Sequence, residues 1–206
     1  MKRLRFHLQR HHRGQSFIEL AFVFGLLMTM LAGVIEFGNL LNQYIILIDG
    51  AREGARAASN ADPFNRPDYT NNDSFYSTID DLIEGTVDGD PDHPNAQPAV
   101  IIPLKLVDDN DDDVVITVYS IDTAGNLVGF PDDDGWSRYG NQTTKFDTSE
   151  LKSRVISAPG APLTGMVVVE IFYHYPSILK ILPEDFTLHA YSIMPVTAAE
   201  PTPVPP

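Results

Sequence analysis

The chain has 206 residues, 14 of them basic and 28 acidic, and no cysteine. That length holds one anchor and one modest domain, because domains commonly run about 100–150 residues. The absence of cysteine excludes a disulfide framework, a thiolate zinc site and a redox motif. Five basic residues, Lys2, Arg3, Arg5, Arg10 and Arg13, fall within residues 1–14, which hold no acid. The other nine stand against all 28 acids, a formal −19 over residues 15–206. So acidic a chain repels phosphate backbones, and no nucleic acid is expected as a partner.

Residues 1–14 form a basic leader, and with His7, His11 and His12 beside an apolar run they carry the positive-inside signal. That places the N-terminus in the cytoplasm and the rest of the chain outside. Phe17–Ile35 reads FIELAFVFGLLMTMLAGVI, with Glu19 its only charge. Nineteen residues at about 1.5 Å each reach roughly 28 Å, a bilayer's hydrocarbon thickness and more than a signal-peptide core needs. The helical pattern runs on, with Phe37, Leu40, Leu41, Tyr44, Leu47, Ile48, Ala51 and Ala55 at three- and four-residue steps. No proline lies between Gly14 and Pro63, so one helix of about 45 residues is predicted over 15–59, transmembrane and then amphipathic.

Residues 60–98 are rich in Asn, Asp and Pro and read as a loop region, with a short helix around Ser74 to Ile83. Residues 99–195 read as an extracytoplasmic, antiparallel, β-rich domain. Val100–Val107 and Val114–Ile121 are β-branched runs joined by the polar turn Asp108–Asp113; Thr123–Asn126 is a second turn before Leu127–Phe130. Met166–Tyr175 is the strongest predicted strand, Phe186–Pro195 its partner, and Pro176–Leu182 a helical turn between them. The tail, 196–206, is proline-rich and extended. The fold class is α+β: a long helix leaves the bilayer, and its amphipathic half covers one face of a small antiparallel sheet of four or five strands.

Several residues admit two readings. Glu19 is ionisable inside an apolar segment, where it either snorkels to the interface or requires a partner. A cut after Gly14 would supply one in the new ammonium of Gln15, about a turn away; Gly14 could equally be a flexible residue before the helix. Glu36 suits the outer headgroups or a helix–helix contact. Arg52, Glu53 and Arg56 suit a locally paired, solvated face or a binding site. Asp108, Asp109, Asp111, Asp112 and Asp113 form an oxygen cluster without the spacing of an EF-hand, so a solvated hairpin turn competes with a weak calcium site. Asp132-Asp133-Asp134 is read the same way. His93, His174 and His189 stand in no metal or nucleophile motif, and no enzyme, metal or cofactor is expected.

Gly14 with a glutamate as the fifth residue after it resembles the type IV prepilin processing site. The stretch from Arg13 to Ser59 resembles the TadE family, through its GQSxxEL opening, Ile35-Glu36-Phe37-Gly38 and Ala51-Arg52-Glu53-Gly54-Ala55-Arg56. The resemblance implies a pseudopilin or minor pilin of the tight-adherence (Flp) pilus or a related secretion system. It implies removal of the leader between Gly14 and Gln15 by a prepilin peptidase, retention of the helix, and pilin-like subunits as partners. Two other readings compete. One is a permanently anchored acidic surface protein that binds calcium, cell wall or a protein; the other is a secreted protein whose residues 1–35 are a cleaved signal.

Overall fold

The structure is a computed structural model and describes residues 13–65, 70–84, 105–121, 127–152, 165–180, 183 and 186–196. A single helix, α1, runs from Arg13 to Ser59. It ends where the sequence predicts. The Asn60 side-chain Nδ2 donates to the Arg56 carbonyl at 2.8 Å, meeting a carbonyl the terminus leaves unpaired, and Pro63 follows. Between Phe17 and Ile35 the large apolar side chains of α1 stay exposed among the described residues. The length and composition of α1 suffice to cross a membrane, which suggests single-pass anchoring.

Past the span, α1 lies on a five-stranded antiparallel sheet. The strands are β3 (Asp113–Ile121), β4 (Leu127–Phe130), β5 (Trp136–Ser137), β6 (Met166–His174) and β7 (Thr187–Pro195). Their order is β4-β3-β6-β7, with β5 also on β3. Register sets Ile116 opposite Val169 and Val169 opposite Ser192, so the predicted pairing of the two C-terminal strands is present. A two-stranded ribbon, β1 (Phe64–Asn65) and β2 (Thr70–Asn71), leads to α2 (Asp73–Glu84), which is the predicted short helix. Its Phe75, Tyr76, Ile79 and Ile83 share one face and join the core with α1.

The expected single covered face is only part of the arrangement. β6 is buried along nearly its whole length because both its faces are covered. Val167, Val169, Ile171 and Tyr173 meet the helices, while Met166 and Val168 pack with Tyr119, Leu151 and Phe146 beneath α3 (Thr148–Lys152).

Three other expectations are corrected. Within α1, Phe37, Leu41 and Tyr44 point away from the sheet; Leu47, Ala51, Ala55 and Ala58 are the fully buried residues. The expected strand Val100–Val107 falls partly outside the described residues, and Lys105–Val107 is not in a strand. One edge of β3 holds β6 and the other β4 and β5. The Val107 N–H instead donates to Asp112 Oδ2 at 2.9 Å, and the chain reverses through a 3-10 turn, Asp108–Asn110, and a left-handed Asp111. Pro176 to Lys180 forms no helical turn, because the N–H groups of Ile178 and Leu179 bond elsewhere. Most of the leader, residues 123–126 of the expected turn, residues 181–182 and the tail from 197 lie outside the described residues; Val196 is buried and hydrogen-bonded to Gly165.

Candidate functional site: the helix–domain junction

Glu36 is the first residue after the predicted span and is only 4% exposed. Its two carboxylate oxygens accept the N–H groups of Ile178 and Leu179, each at 3.1 Å. Its backbone carbonyl accepts the Tyr175 hydroxyl at 3.2 Å, and the Asn39 side chain donates to that same hydroxyl at 3.1 Å. A buried carboxylate needs such donors, since an unpaired one is strongly disfavoured. Neither reading of Glu36 from sequence anticipated this. The contact is made within one chain, and it ties the helix to the loop that follows β6 at the helix's exit from the span.

A second tie lies about four to six turns further on. Ala51, Ala55 and Ala58 have no exposed surface, and Gly50 and Gly54 are buried among them. A Cβ at Gly54 would stand 2.6 Å from Ile83 Cδ1 and 3.5 Å from Val169 Cγ1, so the missing side chain is what lets α1, α2 and β6 meet. Ser59 closes the contact, its hydroxyl donating to the Pro195 carbonyl at 2.6 Å. The charged members of the same motif face solvent. Arg56 pairs with Glu53 through its Nε at 2.8 Å, and Arg52 lies 3.6 Å from Asp49. That is the locally paired face, whose net worth is small.

At the start of α1 the helix already includes Arg13 and Gly14. Gln15 Nε2 donates to Glu19 Oε1 at 3.1 Å, one turn apart. Phe37 and Gly38 are exposed, and a Cβ at Gly38 would meet nothing within 4 Å.

The acidic cluster after Val107 is only partly a solvated turn. Asp108, Asp109 and Asp111 are exposed, but Asp112 and Asp113 are buried. Asp113 Oδ2 accepts the Ser137 hydroxyl at 2.6 Å and the N–H groups of Asn141 and Gln142 at 3.0 and 2.8 Å. Its Oδ1 accepts the Tyr139 N–H at 3.2 Å. Asp112 accepts the N–H groups of Val107 and His174. Among the described residues, no three acidic or histidine side chains converge to hold a metal. Asp132, likewise, folds its own turn by accepting from Asp134 and Gly135, both at 3.0 Å.

Two polar clusters were missed from sequence. Glu170 has no exposed surface, and its carboxylate accepts from the Thr144 hydroxyl and the Lys145 N–H, with His189 Nε2 at 2.9 Å. The signal was a lone acid inside MVVVEIFYH, which had to find donors if that strand was buried. The other cluster joins α2 to β5. Arg138 forms an ion pair with buried Asp80 and lies 3.2 Å from Glu84. Burial, then the charges of Asp112, Asp113 and Asp81, push Glu84 up to about 7, against the lowering effect of the Tyr139 hydroxyl. A carboxyl raised on folding contributes stability that is full below its unfolded value of about 4.5 and is lost as pH climbs through 7. Glu84→Gln is therefore expected to flatten the fall in melting temperature between about pH 4.5 and 7.5, measured on the full chain in detergent. An unchanged slope would show that Glu84 does not titrate there.

No curated protein and no solved structure matches the chain. Residues 14–56 match the family model described as TadE-like protein. The matched stretch holds Glu19, Glu36 and the Gly54 face, and it ends before the sheet begins. Over residues 14–56, then, this chain is similar to the TadE-like family, as its GQSxxEL, Ile35–Gly38 and Ala51–Arg56 motifs foretell.

Proposed function

We propose that this chain is a structural, non-catalytic minor-pilin-like subunit of a tight-adherence (Flp) pilus or a related secretion apparatus. The TadE-like match over α1 is the observation that carries this reading. In it, the chain enters the membrane with its N-terminus inside, and a prepilin peptidase removes the leader after Gly14. The helix is kept, and pilin-like subunits pack against it. Two features support that packing. The apolar half of α1 is uncovered by its own domain, and beyond the span Phe37, Leu41, Tyr44 and Ile45 prolong an exposed apolar stripe at helical spacing. Glu19 then neutralises the terminal amine of Gln15, in its own chain or a neighbour's.

Deleting the chain in its host should abolish or sharply reduce surface pili. Complementation with Glu19→Ala should restore the membrane-inserted protein but not the pili. Full piliation without the chain would refute the proposal. Full piliation with Glu19→Ala would refute only the pairing of Glu19 with the amine.

A further inference from the structure

We propose that the loop Pro176–Lys180 is a second membrane contact, in which Ile178 and Leu179 enter the outer interface of the bilayer that α1 crosses. The inference rests on reading α1 as a membrane span. Its first support is height. Nineteen residues from Phe17 to Ile35 cover about 28 Å of hydrocarbon, so Glu36 stands at the outer boundary. Side chains of a helix lean toward its N-terminus, so the Glu36 carboxylate reaches back over the span rather than away from it. The two N–H groups it holds at 3.1 Å belong to Ile178 and Leu179 themselves. Ala32, one turn closer to the bilayer centre on the same face, is half-buried, whereas Ala21 lower in the helix is exposed.

The second support is chemistry. Ile178 is 61% exposed and Leu179 42%, side by side. Among the described residues outside α1, the other exposed large apolar side chains are Val107 and Tyr191, single residues in separate segments of the chain. Lys180 follows, exposed, and its long stem can carry its ammonium to lipid phosphates while the two aliphatic side chains point inward. With the backbone donors of Ile178 and Leu179 already taken by Glu36, the loop offers a surface of aliphatic side chains plus one cation. That surface fits an interfacial lipid layer.

The chain has no cysteine, so single reporters can be placed cleanly. Ile178→Cys, Leu26→Cys and Arg56→Cys, the last exposed on α1 about 30 Å beyond Glu36, would each carry an environment-sensitive fluorophore in the full chain. Each would be reconstituted at low protein-to-lipid ratio in phosphatidylcholine vesicles containing lipids spin-labelled at shallow or deep acyl positions. The expected result is strong quenching at 178, greater with the shallow label than the deep one, strong quenching at 26, and none at 56. Glu36→Ala should lower quenching at 178 at least twofold and leave 26 unchanged. Quenching at 26 with 178 behaving like 56 would overturn the loop contact and leave the anchor standing. No quenching at 26 would overturn the membrane span itself and the contact with it. A probe at 178 that is shielded from water but not quenched by lipid, and is released on diluting the protein, would replace the lipid with a second copy.

Discussion

Asp113→Ala should lower the stability of the sheet domain by about 3 kcal/mol or more, the largest loss expected from any single substitution proposed for this chain. The carboxylate is fully buried and accepts from the Ser137 hydroxyl and three backbone N–H groups, those of Tyr139, Asn141 and Gln142. Alanine leaves those donors facing a gap, and an unmet buried donor costs about 1–3 kcal/mol. Water can recover part of this, because Gly140 and Asn141 lie at the surface. At about 2–4 °C per kcal/mol for a chain of this size, the melting temperature should fall by roughly 6–12 °C. Amide exchange should accelerate first across residues 137–142. The same experiment separates hydrogen bonding from calcium binding. Chelator should leave the wild-type melting temperature unchanged. If chelator reproduces the loss, the aspartates act through a cation; an unchanged melting temperature in Asp113→Ala would deny its bonds any structural role.

Gly54→Leu should come next, costing about 2–3 kcal/mol and separating α2 from α1. Alanine at this position is a gentler test, since the Ile83 δ-methyl can rotate aside and a helical alanine gains about 1 kcal/mol over glycine. Leucine adds three further carbons in a space bounded by Ile83 and Val169, and neither helix can retreat without opening the core around Tyr76 and Ile79. The readout is thermal unfolding of the full chain in detergent, with membrane insertion as the control. Insertion should be normal because the span is untouched. A Gly54→Leu protein as stable as the parent would mean that the small-residue face is not the close contact described.

The contrast between Gly54 and Phe37 shows where sequence reading succeeds and where it stops. The limits of α1, the position of α2 and the β6–β7 pair were legible, because each depends on local pattern: an apolar run, missing prolines, alternation. The buried face of upper α1 was legible only in part. Of the expected stripe, Leu47, Ala51 and Ala55 are fully buried while Phe37, Leu41 and Tyr44 are exposed, and close packing added Gly54 and Ala58. Size and contact distance, rather than hydrophobicity, decided that face. The junction at Glu36 was hidden for a different reason. Its partners lie about 140 residues away and are backbone N–H groups, which no side-chain motif announces. The same holds for Asp112 and Asp113: in composition they look solvated, and only the fold brings donors from 137–142 and 174 to them. Glu170 was legible in principle, as a single acid in a buried strand.

The TadE-like motifs acquire a physical meaning from this arrangement. Glu36 and the Gly54 face fix the domain on the helix at two heights, while Arg52, Glu53 and Arg56 remain outside for solvent or a neighbour. In the proposed function, a processed leader distinguishes a pilin-like element from a plain anchor. Mass spectrometry of the N-terminus of the protein, taken from its native membrane, tests this most directly. The account predicts a chain beginning at Gln15, with the apolar helix retained. A chain beginning at Met1, or one beginning beyond Ile35, would contradict it.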